Sequence, residues 1–335
     1  MYSASPLSAF AQDASPKYKA KVPDSIRTPN NVETKTLGNL HFFDGMPSRD
    51  TVSKTYDFLD VARATEAFLA GIPAASLYSV MEGFKVAGMK PCDLGLAEDL
   101  LDARSLFLTP NTSTVYGMLK VDVKDGPVVL EIPSGVLGPL QDAFFRYVID
   151  FGPVGPDKGK GGKYVLAHKS YTGAIPTGAF EVRTRTYRNA TFFRVFAKDG
   201  DFAAGARAIK AGFRCYPLAQ ANNPPMQNFV NLSGKQFNTV HANDFSFFEE
   251  LNDVIQYEPT DAYDPEPLGL FASIGIKKGQ PFAPDARMKR LLTEGVAIGN
   301  AAARSISFAN RDRSVYYYPD RQWFAPSAGR HDFIE

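Results

Sequence analysis

Between Ser105 and Phe196 the chain reads Ser105-Leu-Phe-Leu108, Val115-Tyr-Gly-Met-Leu-Lys-Val-Asp-Val123, Pro127-Val-Val-Leu-Glu-Ile132, Ala143-Phe-Phe-Arg-Tyr-Val-Ile149, Lys163-Tyr-Val-Leu-Ala167, Phe180-Glu-Val-Arg183 and Thr191-Phe-Phe-Arg-Val-Phe196. Each run is short and rich in β-branched and aromatic residues, the composition of a strand. Turn formers separate them: Lys124-Asp125-Gly126, Ser134-Gly135, Gly152-Pro153 and Thr172-Gly173. Strands at these spacings predict an antiparallel, immunoglobulin-like β-sandwich over 101–200. No helical period lies between them, so βαβ crossovers and a parallel sheet are not expected.

On either side the period changes. Residues 1–48 hold Pro16, Pro23, Pro29 and Pro47 among polar residues and read as an extended N-terminal arm. Ser48 then precedes Val52, Tyr56 and Leu59, an i, i+4, i+7 stripe that predicts a helix stopped by Gly71. Pro73 opens a second helical run to Gly88, and the helices of 49–100 are expected to pack with a helical domain at 201–311. In that domain Phe202–Gly212 is one helix. Ser246 and Glu249 form a capping-box signature, Asp264-Pro265 starts a third helix, and Pro284-Asp285 the longest, to Ile306. Residues 312–335 return to strand-like text, Val315-Tyr-Tyr-Tyr318 and Trp323-Phe324. The fold class is therefore α+β, a sandwich with a small helical domain.

At 335 residues the chain has room for about two domains and a sizeable core. Its 26 Phe and 15 Tyr exclude disorder over most of the length. Lys+Arg number 37 and Asp+Glu 36, a net charge of +1, which argues against a nucleic-acid surface or a polybasic membrane patch. No run reaches the ~18 apolar residues of a transmembrane helix, so no transmembrane segment is expected. Cys92 and Cys215 are either two separate thiols or one bridge. Ala9-Phe10-Ala11 has the form of a signal-peptidase site without the charged and apolar regions that precede one: the true start lies upstream, or the match is chance.

The familiar catalytic signatures G-x-S-x-G, S-x-x-K and H-E-x-x-H do not occur. The loop Gly152-Pro-Val-Gly-Pro-Asp157-Lys158-Gly-Lys160-Gly-Gly-Lys163-Tyr164 could converge amides and lysines on a carboxylate, phosphate or sugar; the alternative is a solvated hairpin loop. Before it, Asp142 and Arg146 are four apart and share a face if the segment is a strand. Asp142 and Asp150 are candidates for an acid–base pair with Arg146 as anion clamp; the alternative is charge pairing on a solvent face. Asn111 and Tyr116, in Thr109-Pro-Asn-Thr-Ser-Thr-Val-Tyr116, either line a polar pocket or serve a turn. His41, His168, His241 and His331 are scattered, so no metal site and no cofactor are expected, and His241 reads as part of a helix cap.

Several of these segments resemble one family of bacterial secreted proteins, built from two consecutive domains of unknown function numbered twelve-fifty-four and twelve-fourteen. The resemblance rests on Thr109–Tyr116, Gly126-Pro-Val-Val-Leu-Glu-Ile-Pro133, Asp150–Tyr164, Phe237-Asn-Thr-Val-His-Ala-Asn-Asp-Phe-Ser-Phe-Phe-Glu-Glu250 and Pro281-Phe-Ala-Pro-Asp-Ala-Arg-Met-Lys289. It spans about residues 40–330, with Ser113 where members often carry Asp. It implies a sandwich, a small helical domain, and a periplasmic or secreted protein. It also implies a C-terminal jelly-roll domain, of which 312–335 would be the truncated start.

The resemblance supplies no reaction. Two functions are expected from different classes. One is an exported protein that binds, or as a hydrolase cleaves, a glycan or other small polar or anionic molecule in an interdomain cleft. That site would use Asp142, Asp150, Arg146, Asp157, Lys158, Lys160, Lys163, Tyr164, Asn111 and Tyr116. The other is a non-catalytic envelope protein acting in structure or assembly. A homo-oligomer is expected in either case, because the aromatic run at 312–335 lacks a partner strand.

Overall fold

The computed structural model describes residues 21–107, 110–195 and 200–325. Ala9–Ala11, Leu108, Thr109, Phe196 and His331 lie outside the described residues. The chain forms two compact units, Met1–Leu59 and Asp60–Glu335.

In the first unit β1 (Asn31–Thr34), β2 (Gly38–Phe43) and β3 (Met46–Pro47) form an antiparallel meander. These residues were expected to be an extended arm. They pair instead because Thr34 Oγ1 accepts Leu37 N–H at 2.9 Å and Gly38 takes φ 69°, which closes a tight turn. The helix that follows, α1 (Arg49–Val86), begins where Ser48 Oγ accepts Thr51 N–H at 3.2 Å.

The second unit is mixed helix and sheet, an α+β architecture. Helix α1 does not stop at Gly71 or restart at Pro73. Its 38 residues run through both. The reason is packing: a Cβ on Gly71 would lie 2.9 Å from Leu251 Cδ2, so glycine here permits close helix approach rather than ending the helix. Ala64, Phe68, Ala74 and Ala75 are all buried around it, which outweighs the backbone bond that Pro73 cannot make. α1 is apolar enough to cross a membrane by length and composition, yet 61% of its most apolar window is buried inside the protein.

Beyond α1 come β4 (Leu94–Leu96), β5 (Ser105–Leu106), β6 (Val115–Asp122), β7 (Val128–Ile132) and β8 (Val136–Asp142). Then follow β9 (Tyr147–Phe151), β10 (Gly162–His168), β11 (Phe180–Thr184), β12 (Arg188–Val195) and α2 (Phe202–Gly212). The segment 214–238 supplies β13 (Arg214–Pro217), β14 (Phe229–Asn231) and β15 (Phe237–Asn238). Three helices complete the unit: α3 (Ser246–Tyr257), α4 (Pro265–Ser273) and α5 (Ala286–Phe308).

A six-stranded sheet, ordered β14-β4-β6-β12-β8-β9, faces a four-stranded sheet, β11-β10-β7-β13. They share one core, with Leu119, Leu140, Phe193 and Val195 from the first meeting Leu130, Tyr164 and Leu166 from the second. The pairing is not wholly antiparallel: β10 with β11, β4 with β14 and β5 with β15 run parallel. A parallel neighbour needs only enough chain to return, and Lys169–Ala179 does so without a helix. Residues 143–146 are a turn rather than strand, with Phe145 at φ 60°.

α3, α4 and α5 pack with α1 around Phe68, Phe247, Leu251, Phe271 and Val296. The capping box of α3 does not form, since Ser246 donates its N–H to Asp244 Oδ1 at 2.9 Å and the helix carries no side-chain cap. α5 is capped as expected by Asp285, but α1, not α5, is the longest helix. Residues 312–325 form a short 3-10 turn and one bridge, Tyr316 to Phe324, instead of a strand. Cys92 and Cys215 are free thiols, and Gln227 ties their backbones together: its Oε1 accepts Cys215 N–H at 2.7 Å and its Nε2 donates to Cys92 O at 2.8 Å.

Candidate functional site

Asp142 is buried at the end of β8, and its own hairpin occupies both of its oxygens. Oδ1 accepts the N–H groups of Phe144 at 2.9 Å and Arg146 at 3.0 Å, while Oδ2 accepts Arg146 Nε–H at 2.8 Å. Arg146 also donates to Ala262 O and lies over the Phe144 and Tyr263 rings at 5.1 and 5.4 Å. Asp150 sits on β9 opposite Pro139, three residues back from Asp142 along the hairpin. Asp142 and Arg146 therefore hold a turn; they do not frame a substrate with Asp150.

The glycine-rich loop has a comparable internal anchor. Asp157 is buried, and its two oxygens accept Gly152 N–H and Gly161 N–H, each at 2.9 Å. The amides expected to bind an external anion thus already hold one from the same loop. Lys158 and Lys160 are exposed, Lys163 pairs with Glu131 at 3.1 Å, and the Tyr164 ring is buried between Phe151 and Phe180. Burial, with Asp157 nearby, pushes the Tyr164 hydroxyl well above its ordinary pKa, and among the described residues the oxygen has no hydrogen-bond partner within bonding geometry.

Tyr116 leads to a cleft. The outer face of β6 and β12 is a ladder of opposed pairs: Tyr116 with Arg194, Met118 with Phe192, Lys120 with Ala190, Asp122 with Arg188. Gln141 of β8 lies beside Ala190. Alternate residues point to the other side, into the core shared by the sheets. α1 crosses this outer face, with Leu77 and Met81 packed on Ala190, and divides it into two clefts.

The cleft on the Tyr116 side has a volume of about 530 Å³. Phe107, Phe192 and Phe145 line it with aromatic surface, Phe192 meeting Phe107 at 5.5 Å and Phe145 at 6.4 Å between ring centroids. Phe145 is held at φ 60°, a sparsely occupied conformation for a bulky residue, by the turn that Asp142 and Arg146 fix. The polar groups of the cleft are Ser76, Gln141, Thr239, His241 and Arg194. Thr239 Oγ1 donates to Leu106 O at 2.8 Å. His241 Nδ1 bonds Ala242 O at 2.8 Å, and its ring is hydrogen-bonded to no carboxylate or hydroxyl among the described residues. Glu250, whose pKa burial raises to about 7, anchors this loop by accepting Ala242 N–H at 3.1 and 3.2 Å.

Among the described residues of the cleft lining, Arg194 is the one arginine or lysine. Its guanidinium lies 5.9 Å from the Tyr116 ring centroid, and it forms no ion pair among the described residues. Asn111 holds Tyr116 from the other end, donating N–H at 3.1 Å and Nδ2–H at 3.0 Å to the phenol oxygen. No group of three or more His, Cys, Asp or Glu among the described residues is placed to hold a metal ion.

Of the residues singled out from sequence, Tyr116 lines the cleft, Asn111 supports it, and Asp142 with Arg146 shape its wall through Phe145. Asp150, Asp157, Lys158, Lys160, Lys163 and Tyr164 do not line it. Arg194, Gln141, Phe145 and His241 were missed. Arg194 left a signal, a charge inside Phe192-Phe-Arg194-Val with the parity of Phe192. Reading it needed the register of β12 against β6.

Residues 93–217 match the model of a family described as a protein of unknown function, DUF1254. Among curated proteins, none matches the chain. The crystal structure of the VPA0106 protein from Vibrio parahaemolyticus is similar with a TM-score of 0.55 at 19% identity, over 74% of this chain. The match spans 59% of that protein's length, so this chain covers under two thirds of it. An uncharacterised protein from Burkholderia cenocepacia is matched with a TM-score of 0.24 at 13% identity, over 51% of each chain, too low to carry an argument. The first likeness shows the fold alone. The family match bears out the twelve-fifty-four part of the resemblance, and the matched segment is the one that contains Tyr116, Gln141, Phe145 and Arg194.

Proposed function

We propose that this protein is an exported binding protein for a small organic anion with a ring or apolar body, held in the aromatic cleft. One observation carries the reading: Arg194 stands at the edge of a cleft walled by Phe107, Phe145 and Phe192, and pairs with no carboxylate among the described residues. An aromatic floor supplies apolar contact or ring stacking, and a single unmatched guanidinium fixes the orientation of an acidic group. The same surface suits an acidic sugar. Binding fits better than hydrolysis, because no hydroxyl or carboxylate is hydrogen-bonded to His241 among the described residues.

The test is calorimetric titration of the full chain with benzoate, glucuronate and glucose. Either acid should bind, glucose should not, and Arg194→Ala should cost about 1.5–3 kcal/mol of affinity. The same substitution should leave stability within about 0.5 kcal/mol, because the side chain is exposed. Binding of neither acid, or binding unchanged in Arg194→Ala, would refute the assignment. Export belongs to the same proposal and is tested by intact mass of the native protein, which should lack residues 1–11; retention of Met1 would count against it.

A further inference from the structure

On the other side of α1 the same sheet face carries a second cleft, of about 540 Å³. Lys120 and Asp122 of β6 and Arg188 of β12 form its floor, with Tyr78 of α1 and Asp253 and Tyr257 of α3 on its walls. Two cations of the cleft are paired. At the rim, Lys85 Nζ lies 3.0 Å from Glu82 Oε2. Arg188 Nε is 3.7 Å from Glu258 Oε1, and its guanidinium is 3.8 Å from the Tyr257 ring centroid.

Lys120 differs from them. It is half-buried, and among the described residues it forms neither an ion pair nor a side-chain hydrogen bond. Glu82 and Asp93 act on its ammonium only at a distance, which does not replace the lost water, and burial lowers its pKa. Beside it the acceptors are fixed in place. Tyr78 Oη donates to Asp253 Oδ2 at 2.8 Å, and Tyr257 Oη donates to Asp122 Oδ2. Each carboxylate keeps capacity for another donor. Lys120 and Asp122 are two residues apart on one face, so their Cα atoms are about 7 Å apart, the span of a very small molecule.

We propose that this cleft is a second binding site, for a small α-hydroxy or α-amino acid. The ligand carboxylate pairs with Lys120, and its hydroxyl or ammonium group donates to Asp122 or Asp253. The site is independent of the aromatic cleft, since α1 stands between them and they share no lining residue.

The test uses the unaltered full chain. Lys120 is acetylated with an N-hydroxysuccinimide ester, and peptide mass spectrometry follows the rate in glycolate, inorganic phosphate or glycerol. Glycolate should slow labelling of Lys120 by about tenfold or more at saturation, with exposed Lys158 and Lys160 unchanged. Phosphate and glycerol should slow it far less. In calorimetry glycolate binding should survive Arg194→Ala and be lost in Lys120→Met, so failure here is distinguishable from failure of the aromatic cleft. Unchanged Lys120 labelling in glycolate overturns the proposal, as does equal protection by phosphate, which would mean that the cleft reads a bare oxyanion only.

Discussion

Asp142 acts on backbone, not on substrate. Its carboxylate gathers two N–H groups and a guanidinium into one turn, and that turn sends Phe144 into the helical core and Phe145 to the cleft. Asp142→Ala would leave Arg146 and two amides unmatched. It should cost about 2–4 kcal/mol in urea denaturation, and should weaken binding at the aromatic cleft although Asp142 does not line it. Loss of binding without loss of stability would contradict that account. Gly152 is the second sensitive position. It takes φ 91°, and a Cβ there would lie 1.9 Å from Val136 O, so backbone must move to admit one. Gly152→Ala should destabilise by about 2 kcal/mol or more, whereas Gly178→Ala, strained at φ 84° but with open space around it, should cost less. Equal melting temperatures for the two variants would refute the steric argument.

At the scale of elements, helix starts with similar text differ in how they are closed. Asp264 and Asp285 each stand at an N-cap. Asp285 accepts Met288 N–H at 2.7 Å, but Asp264 makes no cap bond and instead meets Arg185 at 3.2 Å. Asp285→Ala should therefore cost about 1 kcal/mol and Asp264→Ala about half that or less, read as shifts in the urea midpoint. The two clefts are also an element-scale outcome. α1 lies across the outer sheet face because Leu77 and Met81 bury against Ala190, and the ladder rows beyond them are left open on both flanks.

At the scale of the whole molecule, two glutamates set a pH dependence. Burial raises Glu258 and Glu250 to about 7 each. Raised carboxylate pKa values mean that the native state holds more protons than the unfolded chain between about pH 4.5 and 7. The stability from these two groups is therefore complete below pH 4.5 and is lost as pH rises through 7. Glu258 is 2% exposed and accepts the N–H groups of Tyr187 at 2.6 Å and Arg188 at 3.3 Å, so its share is on the order of 2–3 kcal/mol. Glu258→Gln cannot titrate, and it should flatten the fall in stability between pH 5 and pH 8 measured by urea unfolding. An unchanged slope would show that Glu258 does not carry it.

Sequence alone determined four of the strands, because alternation and turn residues act locally: Val115–Val123, Pro127–Ile132, Lys163–Ala167 and Phe180–Arg183 each became a strand within a residue or two at either end, whereas β8 carried no such reading. It also determined the start of α5, where a cap needs only its own three neighbours. Tertiary structure alone decided which strands neighbour each other, including the parallel pairs at sheet edges, since pairing depends on where distant segments find partners. It overruled Gly71 and Pro73, because burial of α1 exceeds what a local breaker costs. It decided the candidate site as well. Arg194, Phe145 and Lys120 have no motif around them. They come to line clefts only because β12 registers against β6 and α1 crosses both, leaving one guanidinium and one ammonium that form no ion pair among the described residues.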